Sequence, residues 1–160
     1  MHKYYKAFIF ITITSFILLI YITYNTNHFQ NNPLPKNILQ EIKQKENHIK
    51  YLVKRYYGIN VNIPIVIDDN IHSSLYGYAT YKNGIKIHLN KKRFEETKDY
   101  MINDVLPHEY AHAMMFVFGD LTDENGGHTK KWQKICIALD GIKCKRYVNR
   151  QDILEEKVRF

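Results

Sequence analysis

The segment His108-Glu109-Tyr110-Ala111-His112 holds the residues best suited to chemistry. His108 and His112 are four positions apart, which on a helix of 3.6 residues per turn leaves them about 40° apart around the axis. Their imidazoles then stand one turn apart on one face, where both can reach a single Zn²⁺ at about 2.1 Å. Glu109 is rotated by about 100° from His108. It can approach a water on the metal without becoming a ligand itself, which is the H-E-x-x-H arrangement of zinc hydrolases.

A catalytic zinc takes three protein ligands and keeps one position open. The extended pattern with a glycine and a third histidine just downstream fails, because Met115 and Phe118 occupy those positions. His128 is the candidate third ligand. It follows Gly126-Gly127 and stands one helical turn before Trp132. Trp132, Ile135, Cys136 and Leu139 form the apolar face of a helix, and packing that face against the H-E-x-x-H helix would carry His128 to the metal. Glu124, in the loop before it, is the rival ligand. His2, His28, His48 and His72 read as exposed and His88 as lying on the polar side of a strand; none has ligand spacing.

The elements that must position these residues are visible in the pattern. Met101, Val105, His108, His112 and Met115 continue one inward stripe of a helix that runs from about Phe94 to Phe118 and ends at Gly119. Pro107 interrupts it by removing the bond to the carbonyl of Asn103, so either the helix kinks there or a new segment begins. A polar loop, Asp120 to Gly127, leads to the last helix, about Thr129 to Leu139. Upstream, Ile38, Ile42, Ile49, Leu52, Val53 and Tyr56 recur at helical spacing before Gly58. Val61–Ile67 reads as an edge strand containing Pro64. Tyr76–Tyr81 and Ile85–Leu89, joined through Asn83-Gly84, read as a hairpin, a surface that could also hold an extended substrate by edge pairing. The order predicts an α+β domain with helices packed on a small antiparallel sheet.

These residues together resemble a known family. Val105-Leu106-Pro107-His108-Glu109-Tyr110-Ala111-His112, followed by Gly127-His128-Thr129-Lys130-Lys131-Trp132, is similar to the SprT-like (Spartan-type) zinc metalloprotease domain. Gly77-Tyr78-Ala79 and Ile85-Lys86-Ile87-His88-Leu89-Asn90 are similar to its hairpin, which ends in an I-x-L-N strand before the active-site helix. The resemblance covers about residues 38–148. It implies a zincin-like fold, one zinc per chain held by His108, His112 and His128, and Glu109 as catalytic base. Thr129 replaces the glycine that follows the third histidine in that family, and no zinc ribbon is encoded in these residues. Relatives work in the cytoplasm or nucleus, some on proteins crosslinked to DNA, and that role is not carried over to this chain.

Composition sets the outer bounds. The chain has 160 residues, 45% of them hydrophobic, which fits one compact domain plus an appendage and excludes disorder throughout. Cys136 and Cys144 are the only cysteines, so a four-thiolate zinc site is excluded; they are either free thiols or one short-loop disulfide. A formal charge of +7 favours anionic surfaces such as nucleic acid, lipid headgroups or acidic proteins, but no dense Lys/Arg block marks a nucleic-acid site.

The appendage lies at the N-terminus. Ala7 to Tyr24 contains no charged residue, and eighteen helical residues span about 27 Å, close to the thickness of a bilayer core. No small-x-small cleavage site follows, so it reads as an uncleaved anchor after a short flank, residues 1–6. Lys3 and Lys6 place the N-terminus in the cytoplasm and the domain outside; a cytoplasmic-facing domain is the alternative. Residues 25–37, with Pro33 and Pro35, read as a linker, 38–148 as the domain and 149–160 as a tail. The function expected is hydrolysis of peptide bonds in protein substrates. The alternative is a zinc-stabilised module that binds protein or nucleic acid with little or no peptidase activity.

Overall fold

The computed structural model describes residues 2–121 and 128–145. It divides into two compact units between Leu34 and Pro35.

The first unit is a single helix, α1, His2–Asn31. Its stretch Tyr4–Asn31 is long and apolar enough to cross a membrane. Phe8, Phe16, Ile17 and Leu19 are exposed along it. The hydroxyls of Thr12, Thr14 and Thr23 donate to the carbonyls of Phe8, Phe10 and Leu19 at 2.9, 3.0 and 2.8 Å, so these polar groups are satisfied within the helix. The polar stretch expected as linker is helical as far as Asn31, because nothing in it breaks a helix before Pro33. Only Asn32–Pro35 separates α1 from the next helix.

The second unit opens with α2, Lys36–Tyr57, which ends at Gly58, in the left-handed region at φ +70° with its N–H donating to the Lys54 carbonyl. Its buried face is Ile38, Ile42, Glu46, Ile49, Leu52 and Val53. Tyr56, expected on that face, is 55% exposed, and Glu46 is buried in the stripe instead. The carboxylate is tolerated there because Lys43 and Lys50 hold it at 2.8 and 2.5 Å.

Three strands follow: β1 Ile65–Asp68, β2 Gly77–Thr80 and β3 Lys86–Asn90. β2 and β3 form the expected hairpin, with Tyr78 opposite His88 and Ala79 opposite Ile87, and Asn83 and Gly84 supply positive φ in the turn. The sheet as a whole is mixed rather than antiparallel. Its order is β1-β3-β2, and β1 pairs with β3 in parallel, Ile65 opposite Ile87. The chain leaves β1, crosses to the far edge as β2 and returns to the centre as β3. Asn90 holds that crossing: fully buried, its amide donates to the carbonyls of Leu75 at 2.7 Å and His72 at 3.3 Å. Its side-chain oxygen then accepts from the Lys92 N–H and caps the next helix.

The predicted long helix is built in three pieces. α3, Lys91–Tyr100, contains a non-helical Thr97 at φ −150° and ψ 60°. A π-helical turn, Met101–Val105, follows, and then α4, Leu106–Val117. The Leu106 N–H reaches the Met101 carbonyl, five residues back, so the ladder has already widened where Pro107 contributes no N–H. A new segment therefore starts near Pro107. α4 is buried on nearly every side, with Leu106, Tyr110, Ala111, Ala113 and Met114 fully enclosed.

The last helix, α5, Lys130–Ala138, is capped by Thr129, whose hydroxyl accepts from the Trp132 N–H. It packs on α4 through Trp132, Ile135 and Cys136. Cys136 and Cys144 form a disulfide. Gly141 fits between them because a β-carbon there would lie 2.5 and 2.7 Å from the two sulfurs. The following Lys143 N–H donates to the buried Asp104 carboxylate at 3.0 Å, tying the end of the domain to the π-helical turn.

Candidate metal centre

α4 presents His108 and His112 one turn apart, with ring centroids 5.0 Å from each other. His128, just ahead of the capping Thr129, completes a near-equilateral triangle, its ring 4.9 Å from both. One nitrogen from each of the three rings lies within 4.8 Å of the other two, and Nε2 of His128 is 3.0 Å from Nε2 of His108. Ligand atoms of a tetrahedral zinc site sit about 3.4 Å apart when each bond is about 2.1 Å. The spacing fits a shared metal ion.

The two α4 donors are also in the right charge state. Burial, then the neighbouring His112 and His128, lower the pKa of His108 to about 3. Burial and His128 lower that of His112 to about 4. Both rings are therefore neutral at physiological pH, with lone pairs available. Trp132, almost fully buried, lines the cluster: its ring lies 4.6, 5.1 and 4.5 Å from those of His108, His112 and His128.

Glu109 lies outside the three-imidazole group and faces β2. It is buried, and that burial raises its pKa to about 8, against the lowering effect of a hydrogen bond from the Ala79 backbone. A β-carbon at Gly77 would come within 3.2 Å of Glu109 Cγ. A glycine at that position lets the edge strand approach the carboxylate closely.

The imidazoles of His108, His112 and His128 come together, and Glu109 follows His108 on α4 and faces β2. Glu124 and the Gly126-Gly127 approach lie outside the described residues. Gly77, Ala79 and the contact of Trp132 with all three imidazoles were not anticipated. The strand pattern gave no sign of what it lies against, although a glycine opening a strand is the signal of a close approach. His88, expected on the polar side of its strand, is less buried than Ile87 and Leu89 on either side of it, stacks on Tyr78 at 4.6 Å and pairs with Asp68 at 3.3 Å.

Two histidines on α4 and one just ahead of α5 thus form a cluster that could hold a metal ion. The SprT-like family model matches residues 20–151, and the chain belongs to that family. No curated protein and no solved structure matches it.

Proposed function

We propose that this chain is a zinc metallopeptidase with a zincin-like catalytic domain on a single-pass membrane anchor. The observation that carries the reading is Glu109, a buried carboxylate that follows His108 on α4 yet stays outside the group of three converging imidazoles. A purely structural zinc site has four protein ligands and gives no role to such a group.

His108, His112 and His128 would hold the zinc, which when bound supplies a Lewis acid and an activated water. Glu109 takes the proton from the attacking water and returns it to the leaving amine. Burial makes its carboxylate a better proton acceptor than an exposed one, and its charged form is favoured again beside a cation. Ala79 steadies the carboxylate through its backbone. β2 is an edge strand, and an extended peptide added to its open side would run past Glu109.

The anchor reading rests on the length and composition of α1, and the orientation on Lys3 and Lys6 at its start. The Cys136–Cys144 disulfide supports a domain outside the cytoplasm, where such bonds persist.

The test is cleavage of an unfolded model protein by the purified chain, before and after chelation and after zinc is restored. Cleavage that chelation abolishes and zinc restores is expected. A fully metal-loaded chain that cleaves nothing would favour the non-catalytic binding module.

A further inference from the structure

Away from the metal centre, a hollow of about 430 Å³ opens between the end of α2, the end of α4 and the start of α5. Tyr57, Phe118 and Ile135 make its apolar surface, with the rings of Tyr57 and Phe118 5.3 Å apart. Lys130, Lys131 and Lys134 supply its charge. None of the three histidines or Glu109 lines it.

The three lysines are placed against the local electrostatics. The first turn of α5 has no acidic residue, and a helix N-terminus already carries partial positive charge that disfavours cations. Lys130 and Lys134 are one turn apart on the same face, a repulsive spacing. Among the described residues Asp120 answers Lys131 at 3.6 Å, and Lys131 also lies over the Phe118 ring at 6.0 Å. Three lysines at a helix N-terminus give the hollow a positive field that favours an anion.

The hollow also narrows the choice of anion. A simple inorganic ion would use the lysines and leave the aromatic floor idle. A polynucleotide follows an extended basic groove with successive stacking surfaces, whereas these cations converge from one helical turn on one hollow. The volume suits a small amphiphile. At most about 40 Å of extended chain separates Tyr24, the end of the largely apolar stretch, from Lys36, so an anchored domain stays close to headgroups. Anionic lipid surfaces attract lysines held near them.

We infer that this hollow binds the headgroup of an anionic phospholipid, its phosphate among Lys130, Lys131 and Lys134 and its adjoining apolar portion on Tyr57, Phe118 and Ile135. The inference rests on the anchor reading and is independent of the hydrolytic one. It makes the membrane a ligand of the domain as well as a tether.

The experiment is lysine acetylation footprinting of the full chain, read by mass spectrometry, in nanodiscs of phosphatidylcholine with or without phosphatidylglycerol. Lys130 and Lys134 are expected to be protected at least five-fold by the anionic lipid, with exposed Lys82 and Lys92 little changed. Equal labelling in the two nanodiscs overturns the proposal. So does equivalent protection in neutral nanodiscs by inorganic phosphate or by a single-stranded oligonucleotide, which would identify a different ligand. In Phe118→Ala, with metal content unchanged, protection should fall; its full retention would remove the apolar floor from the site. If the chain does not enter nanodiscs, the anchor reading fails, and the same labelling with sub-micellar dihexanoyl phosphatidylglycerol decides the pocket: protection keeps it, and no protection ends it.

Discussion

Gly77 and Glu109 meet across the gap between the edge strand β2 and α4, so closely that a β-carbon at position 77 would lie 3.2 Å from Glu109 Cγ. The same atom would sit 2.7 Å from the His88 carbonyl, a backbone contact that offers no easy escape. Gly77→Ala must therefore shift the hairpin or the carboxylate. We expect a fall of about ten-fold or more in kcat/KM, the scale on which small misplacements of catalytic groups act. Zinc content should stay at one per chain, since no ligand is touched. An unchanged rate would show that the strand's approach to Glu109 has no bearing on turnover.

Glu109→Gln keeps the shape of the side chain and removes the proton acceptor. Metal content and fold should be retained, while peptide hydrolysis drops by about 10²–10⁴-fold. Wild-type turnover in this variant would reject Glu109 as the base.

His128→Ala removes the ligand that comes from outside α4. Since His108 and His112 alone leave the site one ligand short of the usual three, zinc affinity should fall steeply, and Trp132 loses one of the rings it packs against. Zinc titration of the metal-free variant measures this, and undiminished affinity would direct attention to Glu124.

The parts of this site that lie close in sequence were the parts legible in it. A spacing of one and four residues has a fixed meaning on a helix, so His108, Glu109 and His112 could be placed without a structure. His128 could be added because the apolar face of α5 says which way that helix packs. The π-helical turn was not legible: the step from Met101 to Val105 fits an ordinary turn as well as a widened one. Nor was the parallel pairing of β1, because chain order does not dictate strand order when a loop pinned by Asn90 crosses the sheet. Glu46 shows a third kind of gap. An acidic residue at an inward position is acceptable once two lysines close on it, and hydrophobic pattern alone does not reveal that.

The stability of the metal-free domain should peak near pH 6.5. His108 and His112 titrate at about 3 and 4 in the folded chain, against 6.5 when unfolded. Below pH 6.5 the unfolded chain takes up protons that the folded one refuses, so stability falls as pH drops. Glu109 titrates at about 8 folded and 4.5 unfolded, so its contribution falls as pH rises between those values. From pH 4.5 to 6.5 two histidines outweigh one glutamate, and above 6.5 the glutamate acts alone. Denaturant melts of chelated protein across pH 4–8 read this profile. Glu109→Gln should flatten the limb above pH 6.5, and a limb unaffected by that change would assign it to another group.

The disulfide between Cys136 and Cys144 should stabilise the domain and, through it, the metal site. It closes a loop with a sequence separation of 8, for which the chain-entropy model gives about 2.5 kcal/mol. The bridge holds the end of α5 whose beginning carries Trp132, and the neighbouring Lys143 N–H is fastened to Asp104 beside α4. Releasing it should therefore loosen the packing that sets His128 against His108 and His112. Cys136→Ser with Cys144→Ser is expected to lower the denaturation midpoint and weaken zinc retention under mild chelation, while leaving cleavage by the fully loaded chain within a few-fold of normal. The native protein, labelled in its membrane before any reductant is added, should show no reactive thiol. Two freely labelled cysteines would mean that the bond does not form where the protein resides, and the argument it lends to an extracytoplasmic domain would be withdrawn.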